Sequence, residues 1–106
     1  MSRERVASLA DLRPGSSMKV VVDDIPIALV RETEGSVHAL GDRCSHGDIS
    51  LSDGFVEDDT IECWAHGSKF DLVSGEPRNF PAFEPVPVFA VEIDGDDIYI
   101  NTEIRK

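Results

Sequence analysis

Two short runs in this chain hold both of its cysteines and two of its three histidines: Cys44-Ser45-His46 and Cys63-Trp64-Ala65-His66. Residues 47–62 separate them, and each run is followed at once by a glycine, Gly47 and Gly67. A soft thiolate and an imidazole offered from each of two tight loops suit a metal that accepts mixed sulfur and nitrogen ligation. A glycine beside a ligand lets the backbone approach a bulky inorganic group and aim an N–H at a sulfur. Two motifs at a fixed separation are a much stronger signal than a lone Cys-x-x-His. The competing readings are ordinary buried thiols, a disulfide, or a structural zinc, which two Cys and two His also satisfy. The spacing is unusual for a zinc finger, and the chain is acidic rather than basic.

The runs must be held by strands. Arg5–Leu9 reads as a first strand, ended by the turn Arg13-Pro14-Gly15. Met18–Val22 is extended and β-branched, and Asp23-Asp24 turns it into Ile25–Arg31, where Ile25, Ile27, Leu29 and Arg31 share one face at period two. Glu34-Gly35 turns the chain into a fourth strand, Val37–Leu40. Gly41–Gly54 is rich in Gly, Asp, Ser, Cys and His and reads as an ordered loop. A short strand, Thr60–Cys63, leads to a second loop at residues 65–68, and Phe70–Leu72 extends before the turn Ser74-Gly75-Glu76-Pro77. Pro81, Pro85 and Pro87 deny regular structure to a third loop, Arg78–Pro87. Val86–Ile93, Asp94-Gly95 and Asp97–Asn101 read as a closing hairpin. With no sustained 3.6 period and no internal repeat, the expectation is one small antiparallel β domain.

Composition excludes several function classes. Lys and Arg total 10 against 21 Asp and Glu, a formal net charge of −11. Nucleic acid is excluded as a partner, because its binding needs cations that neutralise phosphates. Anionic membrane surfaces are disfavoured for the same reason. No apolar run approaches the roughly 20 residues that span a bilayer, and residues 1–10 carry charges and no apolar core of a secretory signal. The cytoplasm is the expected address, where two cysteines act as ligands or buried thiols.

The double motif resembles the Rieske iron–sulfur family. Sequences similar to Cys-Ser-His-Gly-Asp and Cys-x-x-His-Gly-Ser-x-Phe-Asp recur in its small ferredoxins. The Leu12-Arg-Pro-Gly turn, Ile27-Ala-Leu-Val-Arg31, Phe80-Pro81-Ala82 and the terminal Asp-Gly hairpin also have counterparts there, so the likeness covers nearly the whole chain. It implies an all-β fold, a small antiparallel Rieske-type sandwich or barrel over residues 1–106. A loop-rich cluster-binding subdomain, about 41–83, would be inserted in a β base. The family's ligation implies one 2Fe–2S cluster, with Cys44 and Cys63 on one iron and His46 and His66 on the other. Gly47, Gly67, Ser68, Phe70 and Pro81 would line it. Two ferric ions, two sulfides and two thiolates sum to zero charge, so one added electron makes −1. High-potential relatives carry two further cysteines where this chain has Ile49 and Ala65, and a tyrosine where it has Phe70. Ser68 is retained. Fewer donors to the sulfurs place the expected potential at the low end of the family's range.

The resemblance further implies a one-electron carrier, monomeric and not itself catalytic. Its partners would be a flavin-containing NAD(P)H ferredoxin reductase and a terminal oxygenase, often one that hydroxylates aromatic rings. His46, His66, Trp64, Phe80 and Pro81 are candidate contacts. An oxygenase needs a second iron on two His and a carboxylate, and only His38 remains, read as a half-exposed strand residue. Length adds the expectation that no catalytic domain follows residue 106. Trp64 either plugs the base of the cluster region or borders an exposed edge. The acidic Asp23, Asp24, Glu57, Asp58, Asp59, Asp94, Asp96 and Asp97 read as solvated turns. The alternatives are a small subunit of another redox enzyme, such as a nitrite reductase, and an accessory protein in iron–sulfur assembly.

Overall fold

Short β-branched runs broken by Asp, Gly and Pro fold here into antiparallel strands, nine of them among the described residues. A computed structural model describes residues 3–42, 50–64, 67–78 and 85–105. The strands are β1 (Glu4–Ser8), β2 (Ser16–Val22), β3 (Ile25–Arg31), β4 (Val37–Gly41), β5 (Phe55–Glu57), β6 (Thr60–Glu62), β7 (Lys69–Asp71), β8 (Val88–Asp94) and β9 (Asp97–Arg105). Six of them form one sheet in the order β1-β9-β8-β4-β3-β2, and β5-β6-β7 form a second. The outer strands β1 and β2 approach each other, so the larger sheet is nearly a closed barrel. The fold is all-β, with 3-10 turns at Leu9–Asp11 and Leu51–Asp53 and no α-helix among the described residues. No helix among them is long and apolar enough to cross a membrane.

The turns follow their residue types. Asp23 and Asp24 have φ of 53° and 65°, the left-handed pair that a two-residue hairpin turn demands. In the last hairpin Asp94 pairs with Asp97, so the turn centres on Gly95-Asp96, one residue beyond the expected Asp94-Gly95. Leu9 leaves the first strand for the 3-10 turn, and β9 runs past Asn101 to Arg105. The strand β5 was not anticipated from the sequence.

The shared face expected along β3 holds for Ile25, Ile27 and Leu29, which lie in or against one core. Ile27 and Leu29 pack with Ala39, Phe89, Ile98 and Ile100 inside the larger sheet. Ala28 and Val30 point the other way into a second core with Leu40, Leu51, Ile61, Cys63, Phe70 and Leu72. The smaller sheet covers that outer face, so from Ile27 to Val30 neither side of the strand meets water. Arg31 ends the strand by donating to the carbonyls of Leu12, Gly35 and Leu9 at 3.0, 3.2 and 3.4 Å.

Candidate metal centre

The second core gathers the feet of all the loops that carry the sequence motifs. Leu40 lies just before the first motif and Leu51 just after it; Cys63 opens the second; Val86 lies near the end of the third loop. All four are buried in one cluster with Phe70.

The first loop leaves β4 at Gly41, whose N–H donates to the Pro87 carbonyl at 2.9 Å. Next, the Asp42 N–H donates to the Pro26 carbonyl at 3.0 Å. The Asp42 carboxylate, 4% exposed, accepts the Ser52 N–H at 2.7 Å. Ser17 on β2 donates its hydroxyl to the Ser52 carbonyl at 2.8 Å. Both ends of the loop are therefore fixed before its motif begins.

The second loop is a hairpin tip between β6 and β7. The Cys63 N–H donates to the Ser68 carbonyl at 2.7 Å, and the Gly67 N–H returns to the Cys63 carbonyl at 2.9 Å. That closure needs φ of +74° at Gly67, which a side chain would strain. Cys63 and Ser68 are fully buried, while Trp64 between the two motif ends is 53% exposed. Trp64 therefore borders a surface and plugs nothing.

The third loop starts at Arg78, whose N–H donates to the Lys69 carbonyl at 2.7 Å. Its guanidinium meets both oxygens of Asp59 at 3.1 and 2.9 Å and also donates to Asp71. That contact, with the N–H groups of Ser74 and Val73 assisting against some desolvation, holds the Asp71 carboxyl down at about 2. Hydrogen bonding to Arg78 likewise lowers Asp59, and Lys69 lowers Glu57. The loop's far end is tied by the Val86 N–H to the Gly75 carbonyl at 2.9 Å.

Of the expected site residues, Cys63, Gly67, Ser68 and Phe70 are placed together at this core. Cys44, His46, Gly47, Ile49, Ala65, His66, Phe80, Pro81 and Ala82 lie outside the described residues. His38 sits toward the Val37 end of β4, more buried than expected, with its Nε2 2.5 Å from Glu32 Oε2. Glu57, Asp59 and Asp97 are not merely solvated: they pair with Lys69, Arg78 and Arg5. Sequence reasoning missed Asp42, Ser52 and Arg78, which carry no motif of their own.

A buried thiol at the foot of a glycine-closed hairpin, with a second Cys/His run on the neighbouring loop, fits a thiolate- and imidazole-ligated iron–sulfur group. The Rieske [2Fe-2S] domain family matches residues 2–90. The ferredoxin component of biphenyl 2,3-dioxygenase from Rhodococcus jostii (strain RHA1) is 37% identical, covering 97% of this chain and 95% of that protein. The ferredoxin of carbazole 1,9a-dioxygenase from Nocardioides aromaticivorans IC177 superposes with a TM-score of 0.88 at 33% identity, covering 94% and 97% of the two chains. A ferredoxin solved in complex with the reduced oxygenase of a carbazole 1,9a-dioxygenase gives 0.86 at 33% identity, covering 98% and 95%. The chain belongs to the Rieske [2Fe-2S] family. Within it, the chain is of the ferredoxin kind, an electron-transfer component with one Rieske-type 2Fe–2S cluster rather than a catalyst.

Proposed function

We propose that this protein carries single electrons from a flavin-containing NAD(P)H ferredoxin reductase to a terminal oxygenase of the ring-hydroxylating type. The observation that supports it most is the convergence of three loop feet on the buried Cys63. When bound, the cluster supplies reversible one-electron storage. Cys44 and Cys63 hold one iron and His46 and His66 the other, with Gly47, Gly67, Ser68, Phe70 and Pro81 around them. Cys63, Ser68 and Phe70 exclude water from the inner side of the centre. Trp64, exposed beside Cys63, offers an apolar contact for the partner, and His46, His66, Phe80 and Pro81 are the further contacts of this reading. The named partnership of a similar ferredoxin with its oxygenase supports the acceptor.

In this reading residues 1–106 are one domain, with a cluster-binding part at about 41–83 set in the β base. The carrier is a monomer that works in the cytoplasm and docks briefly through a small interface. Three histidines leave none for a second iron site once two bind the cluster and His38 pairs with Glu32. The purified protein is expected to be red-brown, with two irons and two acid-labile sulfides per chain and a rhombic EPR signal of low average g when reduced. His46→Ala and His66→Ala each abolish that signal. With reductant and oxygen the chain alone hydroxylates nothing, and a matching reductase and oxygenase restore turnover. A colourless protein holding one zinc, or product formed by this chain alone, overturns the reading.

A further inference from the structure

The smaller sheet has an inner row, Val56 opposite Ile61 and Ile61 opposite Phe70, that packs into or against the second core. Strand alternation turns the neighbouring row outward, Phe55 opposite Glu62 and Glu62 opposite Lys69. Phe55 is 59% exposed. Trp64 follows Glu62 by two residues, past the buried Cys63, and is 53% exposed on the same side. Aromatic side chains can span such a diagonal step between strands. Glu62 makes no ion pair among the described residues: Lys69, opposite it, is bonded to Glu57 Oε1 at 2.8 Å. Its Oε2 leans toward the hairpin tip, 3.8 Å from where a Cβ on Gly67 would stand.

A lone exposed apolar side chain is ordinary and needs no explanation. Two exposed rings beside one unshared carboxylate are a different arrangement, because ring faces and carboxylate attract the same thing, a cation. Strand pairing does not require the ring, since Thr or Val would suit β5 as well. We propose that Phe55, Glu62 and Trp64 form a cation-receiving flank of the docking surface, occupied in the complex by an arginine or lysine of the terminal oxygenase. This rests on the acceptor proposed above. The flank is continuous with Trp64, which that reading already sets against the oxygenase, and a chain of net charge −11 favours a basic counterpart. A guanidinium can stack on a ring and bond a carboxylate at once. An oxygenase without a cation there would leave Glu62 desolvated and unpaired, so the flank also selects among acceptors.

Stopped-flow oxidation of the reduced, cluster-loaded protein by the oxygenase with which it supports turnover tests this. Phe55→Thr, a strand-compatible change at an exposed site, is expected to keep the wild-type spectrum and raise the half-saturating oxygenase concentration about fivefold. Glu62→Gln is expected to do the same and also to flatten the salt dependence of the rate, which Phe55→Thr leaves intact. Val73→Thr, at a position 60% exposed in the turn after β7, is expected to transfer like wild type. Reduction by the flavin reductase is expected to be unchanged in all three. Wild-type transfer by either loaded variant overturns the proposal. So does an equal loss in Val73→Thr, an unchanged salt slope in Glu62→Gln, or a loss seen with the reductase and not the oxygenase. Should one variant fail to load its cluster, the other decides by the same criteria. A wild-type protein that reduces no oxygenase overturns the acceptor reading itself, and this inference with it.

Discussion

Arg78 and Asp71 are bonded across the foot of the third loop, Nη2 donating to Oδ2, while the same guanidinium spans both oxygens of Asp59. One side chain thus ties the β5–β6 turn, the end of β7 and the start of the proline-rich segment. Arginine suits this role because its planar fork offers several donors at fixed angles.

The tie sets an acid dependence. The Asp71 carboxyl lies at about 2 in the folded protein against an ordinary 3.8. A depressed value contributes stability that is fully present above about pH 4 and is lost as pH falls through about 2. Arg78→Gln is therefore expected to be less stable than wild type at pH 5, with the gap closing between pH 4 and 2. Urea unfolding followed by circular dichroism checks it, and a gap at pH 2 as large as at pH 5 contradicts the assignment.

Gly75 tests the other end of that loop. Its φ is +77°, and a Cβ there would stand 2.1 Å from the Val86 carbonyl oxygen. Left-handed backbone costs a side chain roughly 1–2 kcal/mol, and relieving the clash must also break the Val86 N–H bond to Gly75. Gly75→Ala is expected to lose more than about 2 kcal/mol in urea unfolding. Gly95→Ala, with φ of +65° and nothing within 4 Å, is expected to lose only the backbone part.

Phe70 is fully buried in the core that contains Cys63. High-potential relatives carry tyrosine at the matching position, and a hydroxyl donating toward a ligand sulfur strengthens as the cluster gains charge. If the bond differs by about 1.4 kcal/mol between redox states, the one-electron potential rises by about 59 mV. Phe70→Tyr is expected to raise it by some tens of millivolts. Voltammetry at one pH and ionic strength measures the shift, and a crystal structure shows whether the hydroxyl reaches the sulfur.

Trp64 predicts a separation of docking from cluster chemistry. Exposed aromatic residues are frequent anchors of binding energy, with truncation often costing 2 kcal/mol or more. Trp64→Ala is expected to leave absorption and EPR spectra unchanged and to slow electron transfer to the oxygenase about tenfold at limiting concentration. Stopped-flow oxidation at two salt concentrations separates this contact from charge steering by the acidic chain.

The parts of the molecule that were legible in its sequence are those where chemistry or geometry leaves few options. Ile25–Arg31 stood out because an apolar run sits between Asp23-Asp24 and Glu34-Gly35, and its bounds in the structure are the same. Phe55–Glu57 did not, since three residues with only Val56 directed at the core show no period. The burial of Ala28 and Val30 depends on a second sheet nearly thirty residues further along, which no local pattern announces. Among site residues, Cys63 and Gly67 were readable by type and spacing. Asp42 looked like any loop acid, because only the packing of Pro26, Ser17 and Ser52 around it makes it different.

The pairing of β1 with β9, Glu4 facing Ile100 and Ser8 facing Asp97, has a kinetic consequence. Strand partners so distant in sequence cannot meet until all the residues between them are available. Loop-closure entropy grows slowly, by about 0.6 kcal/mol per doubling of length, so the seam weakens the final stability little. Its effect falls on rate: contacts of this separation place β-rich domains in the millisecond-to-second folding range. A nascent chain still lacking β9 therefore presents β1 without its partner, and the larger sheet is completed only when β9 is added.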